Sequence, residues 1–295
     1  MAQWLLANYR QDYDEIAFVF ANTGQENEQT LEFVERCDKH FGLGVVWVEA
    51  VVHNGERRAN THRVTDFVGA SRDGGPFEDS IKKYGIPNMA FPHCTTKLKL
   101  DPMKSYARLG LGWGKRDYHT AIGIRCDEID RMASKREEHG IIYPLVESTK
   151  WLSVPGGMTK PQVNAYWDRM PFRLNLRGYQ GNCKWCWKKS LRKHLTLHAE
   201  DPSIFDFPER MEREYGHCGP PWDGHPPRVF MRKKMSILEF RKCASKEVFI
   251  PAQDDAVIYP DSHDDRDLDM ASSCEESCEV YSEENIEYML SSEEE

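Results

Sequence analysis

The run Ile16-Ala17-Phe18-Val19-Phe20-Ala21-Asn22-Thr23-Gly24 decides the fold class. A short apolar stretch ends at a polar turn with a glycine, the pattern of a buried strand and its exit. Downstream, Glu28 to His40 places Leu31, Val34 and Cys37 at the spacing of an amphipathic helix, and Gly44-Val45-Val46-Trp47-Val48-Glu49 reads as a second buried strand. Strand, helix and strand joined by short loops predict a parallel βαβ unit, and so an α/β sheet with helices on both faces. Tyr118 to Ile124 predicts a further strand, which ends at Arg125-Cys126-Asp127-Glu128. Ligands of open parallel sheets sit at the carboxyl ends of strands. Asn22-Thr23-Gly24 and Arg125 to Glu128 are therefore expected to line one pocket.

Further along, Thr159 to Met170 reads as a helix with Thr159 as its cap and Pro161 in its first turn. Trp187 to Leu197 reads as a strongly basic helix, Arg228-Val229-Phe230-Met231 as an edge strand and Ser236 to Ala244 as a final helix. Gly216 to Pro227 is rich in glycine and proline and reads as a loop. This organisation divides the chain into an α/β core over 1–150, a helical, cysteine-containing extension over 151–253 and a tail over 254–295.

Charge separates the tail from the rest. The net charge of −9 combines a tail of 16 acidic residues and one arginine with a body that carries +6. A mildly basic body suits nucleotides, phosphates, sulfate or nucleic acid. The tail is poor in core-forming residues and repels itself, so disorder is expected there. Cys274 and Cys278 fall within it and read as incidental thiols. No stretch approaches the roughly 20 apolar residues of a membrane span. Met1-Ala2-Gln3-Trp4 carries none of the marks of a secretory signal. A cytoplasmic protein is expected, with its 9 cysteines kept as thiols or metal ligands.

The chemistry concentrates at Gly181-Asn182-Cys183-Lys184-Trp185-Cys186-Trp187-Lys188-Lys189. Two cysteines at this spacing can point at one metal ion, one iron of a cluster, or each other. The lysines around them are expected to favour thiolate and to attract an anionic substrate.

Four segments, taken in order, resemble the phosphoadenosine phosphosulfate (PAPS) reductase family of the adenine nucleotide α-hydrolase superfamily, in the versions associated with phages and prophages. They are Phe20-Ala21-Asn22-Thr23-Gly24 with Glu28, Thr30 and Leu31; Cys94-Thr95-Thr96-Lys97-Leu98-Lys99 with Pro102; Gly123-Ile124-Arg125-Cys126-Asp127-Glu128 with Arg131; and Tyr143-Pro144-Leu145 followed by Gly181-Asn182-Cys183 and Cys186 with Lys188-Lys189-Ser190. The resemblance runs from about Met1 to Ala244. It implies a Rossmann-like domain that acts on ATP or PAPS in sulfur metabolism, by reducing activated sulfate or by adenylating a substrate for sulfur transfer. A thioredoxin-like electron donor or a sulfur acceptor would be its partner.

In one respect the chain departs from the family, which begins with a strand and a Ser-Gly-Gly-x-x-Ser loop that holds the phosphates. Here Met1 to Tyr9 looks like the helix that follows that loop. The expected explanation is a start codon assigned too late; the alternative is a truncated, inactive relative. A sheet without that strand would lose a central member and expose unpaired edges.

The expected roles follow. Cys94, Cys183 and Cys186 would ligate an iron–sulfur cluster and act in catalysis, with Cys126, Cys218 or His93 as a fourth ligand; a zinc clip or metal-free thiols are the alternatives. Asn22, Thr23 and Gly24 would lie beside the nucleotide. Arg125 and Arg131, with Asp127 and Glu128, would clamp phosphate or sulfate, or form a surface ion-pair patch. Lys97 and Lys99, read as extended, would face one side and approach the anion. Lys188, Lys189, Arg192 and Lys193 would form a basic helical face able to meet nucleic acid, though no base-stacking set accompanies it. Cys218, lacking the sequence context of the family's mobile cysteine, reads as a loop residue. The competing function is that of a degenerate, non-catalytic nucleotide- or zinc-binding protein.

Overall fold

The computed structural model describes residues 1–55, 58–134, 136–146, 157–219, 226–246 and 249–252, without the side chains of 130 and 131. The tail over 254–295, and Trp222 and His225 of the glycine-rich loop, lie outside these residues.

The predicted βαβ unit is present. Strand β1 (Val19–Asn22) pairs in parallel with β2 (Val46–Val51), in the register Val19 to Val46 through Asn22 to Glu49. Helix α2 (Glu28–Phe41) connects them, with Glu28 in its first turn and Lys39 and His40 in its last, which suits the helix dipole. Gly42, at φ 61°, ends the helix in the left-handed conformation. Leu31 is buried with Trp47 and Ala70, and Phe20, Val34, Val45 and Phe67 pack on them. The predicted helical stripe is thus the face that meets the sheet. Burying one such side chain contributes about 2 kcal/mol.

Beyond this unit the sheet differs from the expectation of one continuous parallel layer. Strand β3 (Thr61–Thr65) adds to β2 in antiparallel fashion, so the order is β1-β2-β3. The predicted Tyr118 to Ile124 strand shortens to β4 (Thr120–Ala121), which pairs in parallel with β5 (Ile141–Ile142) as a separate two-stranded sheet. Its backbone is satisfied locally, since the N–H groups of Thr120 and Ile122 donate to the carbonyls of Gly140 and Ile142. Among the described residues β1 has β2 as its sole strand neighbour.

The helices are α1 (Ala2–Asn8), α3 (Gly75–Tyr84), α4 (Asp101–Leu109), α5 (Lys160–Trp167), α6 (Leu191–Glu200), α7 (Asp206–Tyr215) and α8 (Ile237–Ala244). Caps explain several boundaries. Thr159 and Gln162 form a capping box at α5, as do Ser236 and Glu239 at α8. Helix α6 starts four residues later than expected because the Ser190 side chain accepts from the Lys193 N–H. Arg228 to Met231 is not a strand. The Phe230 N–H goes to the Glu212 carboxylate at 2.8 Å and the Val229 carbonyl to the Asn88 amide at 2.9 Å, so side chains replace ladder partners.

The largest core cluster draws on both halves of the chain. Ala50, Phe77, Ile81 and Leu98 are buried together with Trp185, Trp187, Leu197, Phe205, Met211, Phe230 and Phe240. The cysteine-bearing segment is therefore packed directly on the α/β unit. No helix among the described residues is long and apolar enough to cross a membrane.

Candidate functional site

Two segments far apart in sequence are zipped together at the exit of β1. The Lys184 N–H donates to the Gln25 carbonyl at 3.0 Å and the Asn27 N–H to the Asn182 carbonyl at 2.7 Å. Glu26 and Cys183 face each other as an antiparallel bridge, and the Asn27 side chain donates to the Gly181 carbonyl at 2.6 Å. The Asn22 turn and the C-x-x-C loop therefore form one unit. Gly24 permits the turn: its φ is 81°, and a Cβ there would stand 3.0 Å from the Gly74 backbone.

Within the turn the polar side chains are engaged by buried carboxylates. The Asn22 amide donates to Glu49 at 2.6 Å and to the Ser71 carbonyl at 2.8 Å. The Thr23 hydroxyl and N–H both donate to Glu26 at 2.9 Å. Glu49 is fully buried and also accepts from the Ser71 N–H and the Arg63 guanidinium. Asn22 and Thr23 thus hold the turn's own shape instead of presenting open donors.

The three sulfurs share a neighbourhood. Cys186 acts electrostatically on both Cys94 and Cys183, and Lys99 acts on both of these as well. Cys94 and Cys183 keep some exposed surface, yet their sulfurs are surrounded by protein. Burial pushes the Cys183 thiol up, the Cys186 charge adds to this, and Lys189 and Lys99 only partly oppose it. Cys94 is likewise raised by burial and then by Cys186, against Trp187, Lys188 and Lys99. The expectation that the flanking lysines make these two thiols acidic is corrected: desolvation outweighs them. Among the described residues no group of three or more His, Cys, Asp or Glu side chains is placed to hold a metal ion. Three thiols are the right donor type for zinc or an iron–sulfur centre.

Each candidate fourth ligand makes a hydrogen bond of its own. His93 donates from Nε2 to the Gly85 carbonyl at 3.1 Å, and burial lowers its pKa to about 4. The Cys218 N–H closes the end of α7 on the Tyr215 carbonyl, and the Cys126 N–H donates to Met158.

The extended reading of Lys97 and Lys99 is also corrected. Thr96–Leu100 is a π-helical turn that runs directly into α4, so the two lysines diverge. Lys99 acts on the thiols. Lys97 is buried, with its Nζ 3.3 Å from Asp101 and 5.0 Å from the centre of the Tyr84 ring.

The Arg125 cluster closes on itself. Arg125 pairs with Asp127 at 3.0 Å and with Glu128 at 3.1 Å, and Asp127 also accepts from the Lys160 N–H that opens α5. Burial would raise the Asp127 carboxyl, but Lys160 and Arg125 together hold it below the usual range. The Arg131 side chain lies outside the description. Because β4 belongs to a separate sheet, the sheet does not join this cluster to the Asn22 turn in the way the sequence reading required. The basic face is also smaller than expected. Lys188 and Lys189 precede α6, and Lys189 is buried with its Nζ donating to the Cys183 carbonyl at 2.7 Å.

Several site residues escaped the sequence reading: Gln25, Glu26, Glu49 and His194. Glu49 had a signal, a lone carboxylate inside an apolar run. His194 is buried and donates from Nε2 to the Cys186 carbonyl at 3.1 Å; on a basic amphipathic helix it had none.

No family profile matches the chain, and no solved structure does. The chain is 29% identical to an uncharacterized nin region protein of Escherichia phage lambda over 284 residues, covering 94% of this chain and 90% of that one. It is 26% identical over 218 residues to an uncharacterized protein of Methanocaldococcus jannaschii, covering 68% of this chain but 37% of that longer protein.

Proposed function

We propose that the chain is an enzyme of PAPS reductase type that acts on an adenine nucleotide in sulfur chemistry, on a Rossmann-like scaffold, with Cys94, Cys183 and Cys186 as its thiol group. The observation that carries this reading is the hydrogen-bonded docking of the Cys183 loop onto the turn that leaves β1. It brings the Cys183 loop to a strand's carboxyl end, where α/β proteins place their ligands. In a reductase reaction, a thiolate attacks the sulfur of the activated sulfate and the nucleotide leaves. A second thiol then displaces sulfite, the thiols end as a disulfide, and a thioredoxin-like donor returns two electrons. In an adenylating reaction, ATP is split at the α-phosphate to activate a substrate oxygen, which a sulfur donor replaces. The iron–sulfur cluster belongs to this proposal. Anaerobically purified protein should then be brown, and a colourless protein carrying zinc rules the cluster out.

Calorimetric titration with ATP, PAPS and adenylyl sulfate tests the reading. Binding of one of them, with turnover to sulfite or to AMP and abolished by Cys183→Ser, supports it; no binding of any adenine nucleotide overturns it.

A second reading has its own support. Asn22 and Thr23 are already engaged by Glu49 and Glu26, so the turn offers a phosphate few open donors. This favours a non-catalytic phage protein that binds a nucleotide or zinc, and binding without turnover would select it.

A further inference from the structure

We propose that the chain pairs with a second copy of itself through the open edge of β3, so that two three-stranded sheets join into one layer. Strand β3 is the last in the order β1-β2-β3, and β2 occupies one of its sides. Among the described residues nothing hydrogen-bonds the backbone groups that face the other way. Such an edge is a template for another strand, and soluble proteins guard it with lysine, proline, a bulge or a covering loop. Thr61-His62-Arg63-Val64-Thr65 contains no lysine, proline or glycine, and its register with β2 is unbroken from Thr61 to Thr65. Arg63 and Val64 are exposed, Val64 at 57%. The charge of Arg63 does not guard the edge either, because its guanidinium is turned back on Glu49 of β2, with Nε donating at 2.8 Å. The opposite edge of the sheet, at β1, is a poorer candidate, since Ala21 and Asn22 are buried there.

The strand's own sequence selects the occupant. A two-fold axis perpendicular to the sheet runs a strand antiparallel to its copy and sets residues of one face opposite each other. Centred on Arg63, such an axis places Thr61 opposite Thr65 and His62 opposite Val64, so every residue of the strand is paired. Threonines directly opposite each other favour a ladder. The two arginines meet at the axis with each already paired to its own Glu49, so no uncompensated like charges are brought together. His62 bonds Ser105 of α4 at 2.9 Å, and Val64, two residues on, lies on the same face of the sheet. In the pair, the exposed Val64 side chain of one copy is covered by His62 of the other. The pairing does not depend on the role of the thiols.

Sedimentation velocity of the full-length protein, from about 1 to about 200 µM, tests the proposal. A monomer–dimer equilibrium is expected. Val64→Lys, which puts a lysine on the edge strand, should weaken the dimer about tenfold or more. Hydrogen exchange of the wild type locates the contact. The amides of residues 61–65 should exchange about tenfold more slowly in the concentrated sample than in the dilute one, as mass action requires, while those of α6 should not change. A monomer at every concentration overturns the pairing. So does a dimer that Val64→Lys leaves intact, or one whose protection falls outside residues 61–65. If Val64→Lys does not fold, the exchange of the wild type decides.

Discussion

The Trp185 indole N–H donates to the Gln25 side-chain oxygen at 2.6 Å, and both side chains are buried. This bond joins the centre of the C-x-x-C loop to the turn after β1. The Trp185 ring also packs against Phe77, Phe207 and Phe230. The position of Cys183 and Cys186 is therefore set by a tryptophan locked from both ends, by packing and by one hydrogen bond.

Gln25→Leu should leave the indole N–H buried without a partner and destabilise the protein by about 1–3 kcal/mol. Trp185→Phe should cost at least as much, because it also removes ring volume from the core. The two effects should not add: the double variant is expected to recover about 1 kcal/mol of coupling. Urea unfolding of the four proteins measures this, and strict additivity would show that the bond contributes nothing.

A glycine comparison separates backbone conformation from crowding. Gly24 and Gly42 both have positive φ, 81° and 61°, but a Cβ at Gly24 meets the Gly74 backbone at 3.0 Å, whereas at Gly42 nothing lies within 4 Å. Gly42→Ala should cost about 1 kcal/mol. Gly24→Ala should cost about 2 kcal/mol or more, since neither backbone can yield cheaply. Thermal melts in one buffer rank the two, and equal losses would mean that the contact with Gly74 is soft.

These positions also mark what the sequence could convey. The β1–α2–β2 unit was legible because Leu31 and Val34 repeat at helical spacing between two apolar runs, a local signal. Ser236 and Thr159 announced their helices for the same reason, a cap being decided within four residues. Strand β3 was not legible: Thr61-His62-Arg63-Val64-Thr65 lies at the sheet edge with Val64 as its single apolar residue, so neither face carries a hydrophobic pattern. Lys97 and Lys99 misled because period-2 spacing has meaning only in a strand, and their segment is helical. In the site, cysteine spacing pointed to Cys183 and Cys186, but the engagement of Asn22 by Glu49 depends on strand register, which no single segment encodes.

Glu49 gives a sharp ordering. Its carboxylate accepts from Asn22, from the Ser71 N–H and hydroxyl, and from Arg63. Glu49→Gln places an amide N–H₂ among groups that are all donors and should destabilise by about 3–5 kcal/mol. Arg63 is more than half exposed, at 56% of its side chain, and three other donors remain when it is removed. Arg63→Met should therefore cost about 1 kcal/mol. Guanidinium unfolding of both variants checks the order, and a larger loss in Arg63→Met would make the ion pair, not the donor cage, the source of stability.

Glu212 predicts a pH dependence. Its two oxygens accept the N–H groups of Phe230 and Ile237 at 2.8 and 2.7 Å, tying the 230–237 segment to α7. Burial nevertheless lifts its pKa from 4.5 to about 7, with Glu209 and Glu239 adding to the rise. The folded protein thus holds this proton more tightly than the unfolded chain. Its contribution is complete below about pH 4.5 and is lost as pH rises through about 7. Wild-type stability minus that of Glu212→Gln should fall across this window by roughly 3 kcal/mol and be level on either side. The variant itself should be weaker by about 1 kcal/mol at low pH, since an amide offers one acceptor where the carboxyl offered two. Urea midpoints taken every half pH unit for both proteins resolve the difference curve. A flat curve would show that Glu212 is already ionised in the folded state, its two backbone donors prevailing over burial and the neighbouring carboxylates.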